Sequence, residues 1–212
     1  MNCHICDKVT ESFIHEKTNI TYYHCKACEY IFKSPECYQD LETQRERYNL
    51  HENNEDDEGY KAYFKRFLDF ILPLVGNPKI ALDFGCGRTS LLASLLQSEG
   101  IACDYFDPIY HPDTLVEDKK FDLIVSTEVF EHLHQPTKVF SDLVGLLEEG
   151  GYLSIQTEFH SNDSISFKKW WYHQDPTHIV FFRARTFEML AQQFGCSVVG
   201  DNDKNMIVLQ KN

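Results

Sequence analysis

Short apolar runs alternate with amphipathic stretches along most of this chain. Runs 80–84, 101–106, 121–126 and 152–157 have the length and composition of strands. Four other stretches carry apolar residues at helical spacing: Tyr60, Phe64, Phe67, Leu68, Ile71 and Leu72; Leu91, Leu92, Leu95 and Leu96; Val139, Phe140, Leu143, Val144, Leu146 and Leu147; and Phe187, Leu190, Ala191 and Phe194. This alternation of strands and helices predicts an α/β domain.

The C-terminal end predicts a different kind of strand pairing. Residues 196–199 and 206–209 are apolar and are joined by Gly-Asp-Asn-Asp at 200–203, which indicates a hairpin. A further strand is weakly marked near Thr114 to Val116. We therefore expect a mostly parallel sheet that ends in an antiparallel hairpin.

Two cysteine pairs near the N-terminus have the spacing of a metal site. Each is a C-x2-C pair, and eighteen residues separate them. Two such pairs present four thiolates to one tetrahedral Zn²⁺, which stabilises a segment too short to fold by burial alone. We therefore expect a structural zinc ion in a zinc-ribbon module at residues 1–37, on Cys3, Cys6, Cys25 and Cys28. The alternatives are unmetallated thiols, redox chemistry at one pair, or substitute ligands among His4, His15, His24 and Cys37.

The segment that follows changes composition sharply. Glu52 to Glu58 is too charged to be core, so residues 38–78 are interpreted as a linker or lid followed by the N-terminal helix. If this segment covers a pocket, Tyr48, Asn49 and His51 can contact a ligand; a solvated loop is the simpler interpretation. Residues 79–212 then form the main domain.

Composition and charge narrow the function classes. The 212 residues carry a formal net charge of -13, from 20 Lys+Arg and 33 Asp+Glu, which disfavours binding to phosphate backbones. No apolar run is long enough to span a bilayer, and the N-terminal residues lack the basic-then-apolar pattern of a secretion signal. Paired cysteines near the N-terminus suit a reducing compartment with a metal site. We expect a cytoplasmic protein without membrane contacts.

The stretch Asp83-Phe84-Gly85-Cys86-Gly87 carries the main functional signal, because it joins a strand to a helix through two glycines. Glycines at such a turn let the backbone approach a nucleotide-like ligand. A dinucleotide site needs a third glycine where this chain has Ser90, and the Asp83 carboxylate is unfavourable beside a pyrophosphate. The same carboxylate suits the ammonium and sulfonium of S-adenosylmethionine. Asp107 follows about twenty residues later at a strand end, where a carboxylate accepts ribose hydroxyls.

Together these motifs resemble class I methyltransferases. The resemblance rests on Asp83-x-Gly85-x-Gly87, on strand Phe-Asp-Leu-Ile-Val-Ser at 121–126 with Thr-Glu-Val-Phe-Glu-His-Leu after it, and on Glu-Gly-Gly at 149–151. It covers nearly the whole chain and is closest to a zinc-ribbon branch with an Arg-Tyr-x-Leu-His-x-Asn-like lead at 47–53 and a late Asp-Pro-Thr-His. The family's usual third glycine is Thr89 here.

The resemblance implies a Rossmann-like α/β fold with a seven-stranded, mostly parallel sheet. It also implies a set of residues around S-adenosylmethionine, namely Asp83, Gly85, Cys86, Gly87, Asp107, Pro108, Ser126, Thr127 and Glu128. The predicted function is S-adenosylmethionine-dependent methyl transfer to a small-molecule or protein nucleophile. An RNA methyltransferase is a second reading, disfavoured by the overall acidity and the lack of a Lys/Arg cluster, and a non-catalytic cofactor-binding adaptor is a third.

Four histidines are candidates for a catalytic base, since imidazole titrates near neutral pH. His132 comes shortly after the strand predicted at 121–126. His160, His173 and His178 belong to an aromatic insertion with Trp170-Trp171-Tyr172, which we expect to shape the substrate pocket. Asp175 lies between His173 and His178, where it can orient one ring, form a metal site with both, or merely make a turn with Pro176. His178 can equally hydrogen-bond inside the core. Glu131 and His132, on the turn after the strand at 121–126, can take part directly in catalysis or serve only helix capping and packing.

Overall fold

The computed structural model describes residues 1–39, 45, 57–114 and 119–212. The described strands are β1 Glu11–His15, β2 Ile20–Cys25, β3 Tyr30–Lys33, β4 Ile80–Phe84, β5 Ala102–Phe106, β6 Phe121–Thr127, β7 Leu147–Gln156, β8 Val180–Phe181, β9 Cys196–Asp201 and β10 Met206–Lys211. The helices are α1 Glu58–Ile71, α2 Leu91–Ser98, α3 Pro136–Leu146, α4 Ser164–Phe167 and α5 Ala184–Gln193. None of the described helices has the length and apolar composition needed to cross a membrane.

Six strands form the larger sheet, in the order β5-β4-β6-β7-β10-β9. Strands β5, β4, β6 and β7 run parallel, while β10 is antiparallel to both β7 and β9. This is the Rossmann-like, mostly parallel sheet with a C-terminal hairpin that the sequence predicts. The carboxyl ends of β4, β5 and β6 therefore meet at one edge, where open α/β sheets bind their ligands.

The described residues supply six of the seven predicted strands to this sheet, and the seventh strand stays a prediction. Thr114 lies in a turn after β5, where its hydroxyl donates hydrogen bonds to the backbone oxygens of Tyr105 and His111. Val116 and the segment 47–53, including Tyr48, Asn49 and His51, lie outside the described residues. Of the short apolar signal at 114–116, the structure describes Thr114 alone.

Helices cover both faces of the sheet because its side chains alternate. On one face, Ala81, Leu123 and Val125 pack with α1 and α2. On the other, Leu82 and Ile124 pack with α3 and α5. A buried parallel strand needs apolar residues on both faces, which explains the near-continuous apolar runs in the sequence.

The smaller sheet has the order β1-β2-β3-β8 and is antiparallel throughout. Its first three strands come from the N-terminal segment, but β8 comes from the end of the aromatic insertion, with Ile31 opposite Phe181. Tyr22 and Phe181 pack there with Phe167 and Tyr172 of the insertion. The N-terminal segment therefore packs on this insertion, and it also shares a core cluster with the larger sheet, in which Tyr30 and Phe32 lie with Leu82 and Ile124.

Candidate active site and candidate metal centre

The glycine turn after β4 opens into a cleft of about 1290 Å³ at the carboxyl edge of the larger sheet. Gly85 has a φ of +79°, and an added Cβ would lie 2.2 Å from Cγ2 of Val129. Gly87 has a φ of +67° and nothing within 4 Å of an added Cβ. Both positions favour glycine by conformation, but the reasons differ. At Gly85 the neighbouring loop leaves no room, and at Gly87 the space in front of the backbone is open for a ligand.

Asp107 is buried at the end of β5 and lines the same cleft as Gly87. Its Oδ2 accepts a hydrogen bond from the Gly87 N–H at 3.0 Å. Its Oδ1 accepts from the N–H groups of Ile109 and Tyr110 at 2.8 and 3.0 Å. The carboxylate is therefore fixed in direction and tied to the glycine turn. Pro108 also lines the cleft.

Asp83 is the most unusual group at this end of the cleft. Its side chain is only 2% exposed, and its Oδ2 has no hydrogen-bond partner in the structure. Burial, with a smaller contribution from the nearby Asp107 charge, raises the pKa of Asp83 to about 7. A buried carboxylate oxygen without a partner is costly, so a cationic ligand here would be stabilised by it.

Three further predicted cofactor contacts, Ser126, Thr127 and Glu128, lie at the carboxyl end of β6. Thr127 and Glu128 line the cleft, whereas Ser126 is fully buried and does not. Cys86, in the glycine turn, also lines the cleft, and burial raises the pKa of its thiol. The structure therefore brings eight of the nine predicted cofactor residues to the cleft wall and leaves Ser126 inside the sheet.

Glu128 joins the two sides of the cleft. Its Oε1 accepts a hydrogen bond from the Tyr63 hydroxyl of α1 at 2.7 Å, and its Oε2 accepts one from Tyr172 at 2.9 Å. Burial and the nearby Glu131 charge raise the pKa of Glu128 to about 8. Its φ of +54° lies in the left-handed region, a strain that folded proteins retain where the surroundings enforce it. Tyr63 and its role were missed from sequence, because Tyr63 lies beside the apolar stripe of α1.

Two of the four candidate histidines line the cleft, His132 and His178, with ring centroids 4.7 Å apart. His132 Nδ1 lies 3.0 Å from the Thr177 carbonyl, and His178 Nδ1 lies 2.8 Å from the Tyr172 carbonyl. Since a carbonyl only accepts, both Nδ1 atoms donate. Burial lowers the pKa of His178 to about 3.

Glu131 lies directly behind these two rings and is fully buried. Its Oε2 accepts a hydrogen bond from the Thr157 hydroxyl at 2.8 Å, while Oε1 has no hydrogen-bond partner. The same Oε1 is 3.6 Å from His132 Nε2. The sequence left Glu131 open between direct catalysis and a capping and packing role on the turn after β6.

The other two candidates, His173 and His160, do not line the cleft. His173 stacks on Phe167 at a centroid distance of 5.1 Å and packs edge-on against His15, beside the aromatic cluster between the smaller sheet and the insertion. His160 Nε2 donates to the Glu29 carbonyl at 2.7 Å, and burial lowers the pKa of His160 to about 3. A metal site on His173, Asp175 and His178 therefore does not fit this geometry.

Asp175 instead makes the turn that was its simpler interpretation. Its Oδ1 accepts hydrogen bonds from the N–H and the hydroxyl of Thr177 at 2.9 and 2.6 Å. This turn and the short 3₁₀ helix Tyr172–Gln174 send His173 and His178 to opposite sides of the insertion. Five residues of separation along the chain thus gave no information about their relative position.

Comparison with known proteins identifies the family to which the chain belongs. The family model described as "Methyltransferase domain" (Methyltransf_23) matches residues 56–200, well over half of the chain. The chain belongs to this methyltransferase family. The predictions of a methyltransferase enzyme and of its Rossmann-like fold are thereby confirmed. No curated protein sequence matches the chain.

Solved structures similar to this methyltransferase support the fold. A putative sarcosine dimethylglycine methyltransferase from Galdieria sulphuraria is 16% identical with a TM-score of 0.57, covering 75% of this chain and 74% of its own. N-methyltransferase NodS from Bradyrhizobium japonicum WM9, bound to S-adenosyl-L-homocysteine, is 15% identical with a TM-score of 0.53, covering 80% and 97%. An O-methyltransferase family protein from Burkholderia thailandensis is 13% identical with a TM-score of 0.53, covering 80% of this chain and 63% of its own. The methyltransferase thus spans less than two thirds of the Burkholderia protein.

The four N-terminal cysteines of the methyltransferase come together away from the cleft. Their Sγ atoms all lie within 4.8 Å of one another. The distances are 3.5 Å for Cys3 to Cys28 and for Cys6 to Cys25, and 3.6 Å for Cys6 to Cys28. Four sulfurs around a tetrahedral zinc at the usual bond length are about 3.8 Å apart, so the cluster fits the ion.

The substitute ligands are engaged elsewhere or lie outside this cluster. His15 Nε2 lies 3.0 Å from the Lys168 carbonyl, and His24 Nε2 lies 2.9 Å from the Asn162 amide oxygen. The His4 ring packs against Phe32 in a tilted arrangement, with ring centroids 4.2 Å apart. Among the described residues, the compact four-sulfur group consists of the two C-x2-C pairs alone.

Proposed function

We propose that this methyltransferase binds S-adenosylmethionine in the cleft and transfers its methyl group to a small-molecule or protein nucleophile. The observation that carries the proposal is the unpartnered Asp83 oxygen beside the open face of Gly87 and the fixed carboxylate of Asp107. The similar NodS structure, which contains S-adenosyl-L-homocysteine, supports a cofactor of this class.

Each group at this end has a distinct role in the proposal. Asp83 faces the positively charged part of the ligand, and Asp107 accepts hydrogen bonds from the ribose hydroxyls. The backbone of Gly85, Cys86 and Gly87 lies against the amino acid part, with Pro108 and Thr127 on the walls. Ser126 supports the loop from inside the sheet.

When bound, S-adenosylmethionine supplies a methyl group on a sulfonium, which is a good leaving group. The protein's own task is then to hold the acceptor in line with that methyl group at near-attack distance. Glu128, with its two tyrosine donors, fixes the loop between cofactor and acceptor. His132 and His178 lie beside the acceptor end of the cleft and activate the acceptor for attack, whereas His173 contributes only to packing.

The cofactor assignment is tested by calorimetry with S-adenosylmethionine and S-adenosylhomocysteine. Asp107→Ala removes two charged hydrogen bonds and should weaken binding by about 1.5 to 3 kcal/mol. Asp104→Ala is the matched control, because Asp104 lies on the same strand but pairs with Lys119 at the surface. Equal affinity in both variants would remove Asp107 from the cofactor site.

Catalysis itself is tested with labelled S-adenosylmethionine and a fractionated cell extract as the source of acceptors. Label should appear in a small-molecule or protein fraction with wild-type protein and not with Asp107→Ala. Label in a fraction that ribonuclease abolishes would favour the RNA alternative instead. Cofactor binding without any label transfer would favour a binding role.

We further propose that Cys3, Cys6, Cys25 and Cys28 bind a structural zinc ion. The ion would fix the start of the chain and the turn between β2 and β3, which support the smaller sheet. Elemental analysis of protein purified without chelator should find about one tightly held zinc at this cluster, lost in Cys25→Ser. Zinc-free protein with an intact smaller sheet would contradict the assignment.

A further inference from the structure

We infer that Glu131, His132 and His178 form a second metal site, for a divalent transition-metal ion, at the acceptor end of the cleft. One ligand atom from each of these three side chains lies within 4.8 Å of the other two. The two histidines line the cleft, and Glu131 lies behind them. This set of two imidazoles and one carboxylate is distinct from the cysteine cluster in both position and chemistry.

The orientation of the two rings favours metal binding. Both Nδ1 atoms donate to backbone carbonyls, of Thr177 and Tyr172, so that in the neutral ring Nε2 carries the lone pair. Histidine ligands in metal sites commonly use this arrangement, in which the second nitrogen donates to a carbonyl or carboxylate and fixes the tautomer. The Nε2 atom of His132 is 3.6 Å from the Glu131 oxygen.

The carboxylate supplies an independent observation. Glu131 is fully buried, and its Oε1 has no hydrogen-bond partner, although leaving a buried carboxylate oxygen unpaired is costly. Its other oxygen is held by the Thr157 hydroxyl at 2.8 Å, which directs Oε1 toward His132. A cation between Oε1 and the two imidazoles would satisfy this oxygen.

The donor set indicates the class of ion. Two imidazoles and one carboxylate favour Zn²⁺, Fe²⁺, Co²⁺, Ni²⁺ or Mn²⁺ over Mg²⁺ and Ca²⁺, which prefer oxygen donors throughout. Three protein ligands leave coordination positions on the ion open. Because the two histidines line the cleft, those open positions would face it.

The role of the metal ion rests on the proposed function, whereas metal binding by these three residues does not depend on that function. A hydroxyl of the acceptor would occupy an open position and lose its proton to water more readily on the metal. The oxygen would then attack the methyl carbon as the carbon–sulfur bond breaks, giving a methyl ether and S-adenosylhomocysteine. The acceptor class is therefore an alcohol or phenol able to bind a metal ion.

The test is cobalt loading of the 212-residue chain after bound zinc has been removed and its absence checked by elemental analysis. Co²⁺ is used because it reports its ligands in its absorption spectrum. Wild-type protein should bind about two equivalents, one at each proposed site. Only the cysteine site gives the intense near-ultraviolet band of thiolate ligation. In His178→Ala and in Glu131→Gln, the thiolate band should persist while the second equivalent is lost or binds at least tenfold more weakly.

Glu131→Gln is included because its amide oxygen can still accept from the Thr157 hydroxyl. This variant keeps the inference testable even if His178→Ala does not fold. His134→Ala is the matched control: His134 lines the same cleft two residues from His132, and this variant should retain both equivalents. A single equivalent in wild-type protein, or two in folded Glu131→Gln protein, would overturn the inference. Cofactor calorimetry on the same samples separates the two proposals. If the protein binds S-adenosylmethionine but only one cobalt ion, the second metal site is contradicted and the proposed function is not. If it binds two cobalt ions but no S-adenosylmethionine, the proposed function is contradicted and the second metal site is not.

Discussion

The two ends of the cleft are built in different ways. The cofactor end consists of one local turn, Asp83 to Gly87, and one residue from the neighbouring strand, Asp107, twenty residues beyond Gly87. The acceptor end brings together α1, the loop after β6 and the aromatic insertion, and its hydrogen bonds join residues 65 and 44 positions apart, from Tyr63 and Tyr172 to Glu128. A local turn leaves a readable sequence motif, whereas contacts between distant segments leave none.

Among variants that test this difference between the two ends of the cleft, we expect the largest loss of folding stability at Gly85. Gly85→Ala should destabilise the fold by about 2 to 5 kcal/mol, since it combines a left-handed backbone with a 2.2 Å approach to Val129. Gly87→Ala is the matched variant, with a φ of +67° but open space. It should cost only about 1 kcal/mol of stability while weakening cofactor binding, because its methyl group occupies the ligand's place.

Urea unfolding and cofactor calorimetry on both variants decide the matter. Equal loss of stability at the two positions would mean that the loop after β6 yields to a side chain at Gly85. Normal cofactor affinity in Gly87→Ala would mean that the ligand does not approach this turn.

The second prediction concerns pH at the cofactor end. Since burial raises the pKa of Asp83 to about 7, the free protein holds a proton there below that pH, and a cationic ligand must displace it. Affinity for S-adenosylmethionine should therefore rise with pH between 6 and 7, by up to tenfold per unit, and level off above. The titratable groups that face Asp83 are Asp107, Cys86, Cys103 and Tyr60.

The same shift has a consequence for stability. A carboxyl group with a raised folded-state pKa stabilises the fold fully below its unfolded-state pKa, near 4, and this contribution is lost as the pH rises through 7. Asp83→Asn should remove this loss, so its unfolding free energy should fall less than that of the wild type between pH 5 and 8. It should also flatten the pH dependence of cofactor affinity. An unchanged pH profile in Asp83→Asn would exclude Asp83 as the titrating group.

The features that could be predicted from the sequence are the local ones, and those that could not depend on contacts between distant segments. The glycine turn, Asp107 and the paired cysteines were predicted, because each depends on residues close together or on fixed spacing. The seventh strand stays a prediction, because Thr114 is the one residue of the weak apolar signal at 114–116 that the structure describes. His173 and His178 were indistinguishable in sequence, because only the turn at Asp175 sends them to opposite sides.

The third prediction tests the acceptor end. Tyr63→Phe removes the hydroxyl that donates to Glu128 Oε1 at 2.7 Å, and should destabilise the fold by about 1 to 2 kcal/mol by leaving that oxygen unpaired. Tyr22→Phe is the matched control, because the Tyr22 hydroxyl is buried without a hydrogen-bond partner, and its removal should be neutral or stabilising. Thermal unfolding measures both; an equal loss in the two variants would mean that the bond to Glu128 contributes little.

The smallest effect on stability is expected at Trp171, which is 64% exposed and lines the cleft. Its ring meets Tyr172 edge-on at 5.3 Å, so Trp171→Ala should cost no more than about 1 kcal/mol. Trp170→Ala is the counterpart: Trp170 packs on Phe167 and Phe181 in the aromatic cluster between the smaller sheet and the insertion, and its loss should cost about 3 kcal/mol. If Trp171 contacts the acceptor, Trp171→Ala should raise the KM for the acceptor severalfold and leave cofactor affinity unchanged. In Trp170→Ala, the fraction of protein that folds should have the wild-type acceptor KM and the wild-type cofactor affinity. An unchanged acceptor KM in Trp171→Ala would confine the acceptor to the part of the cleft between Glu128 and the two histidines.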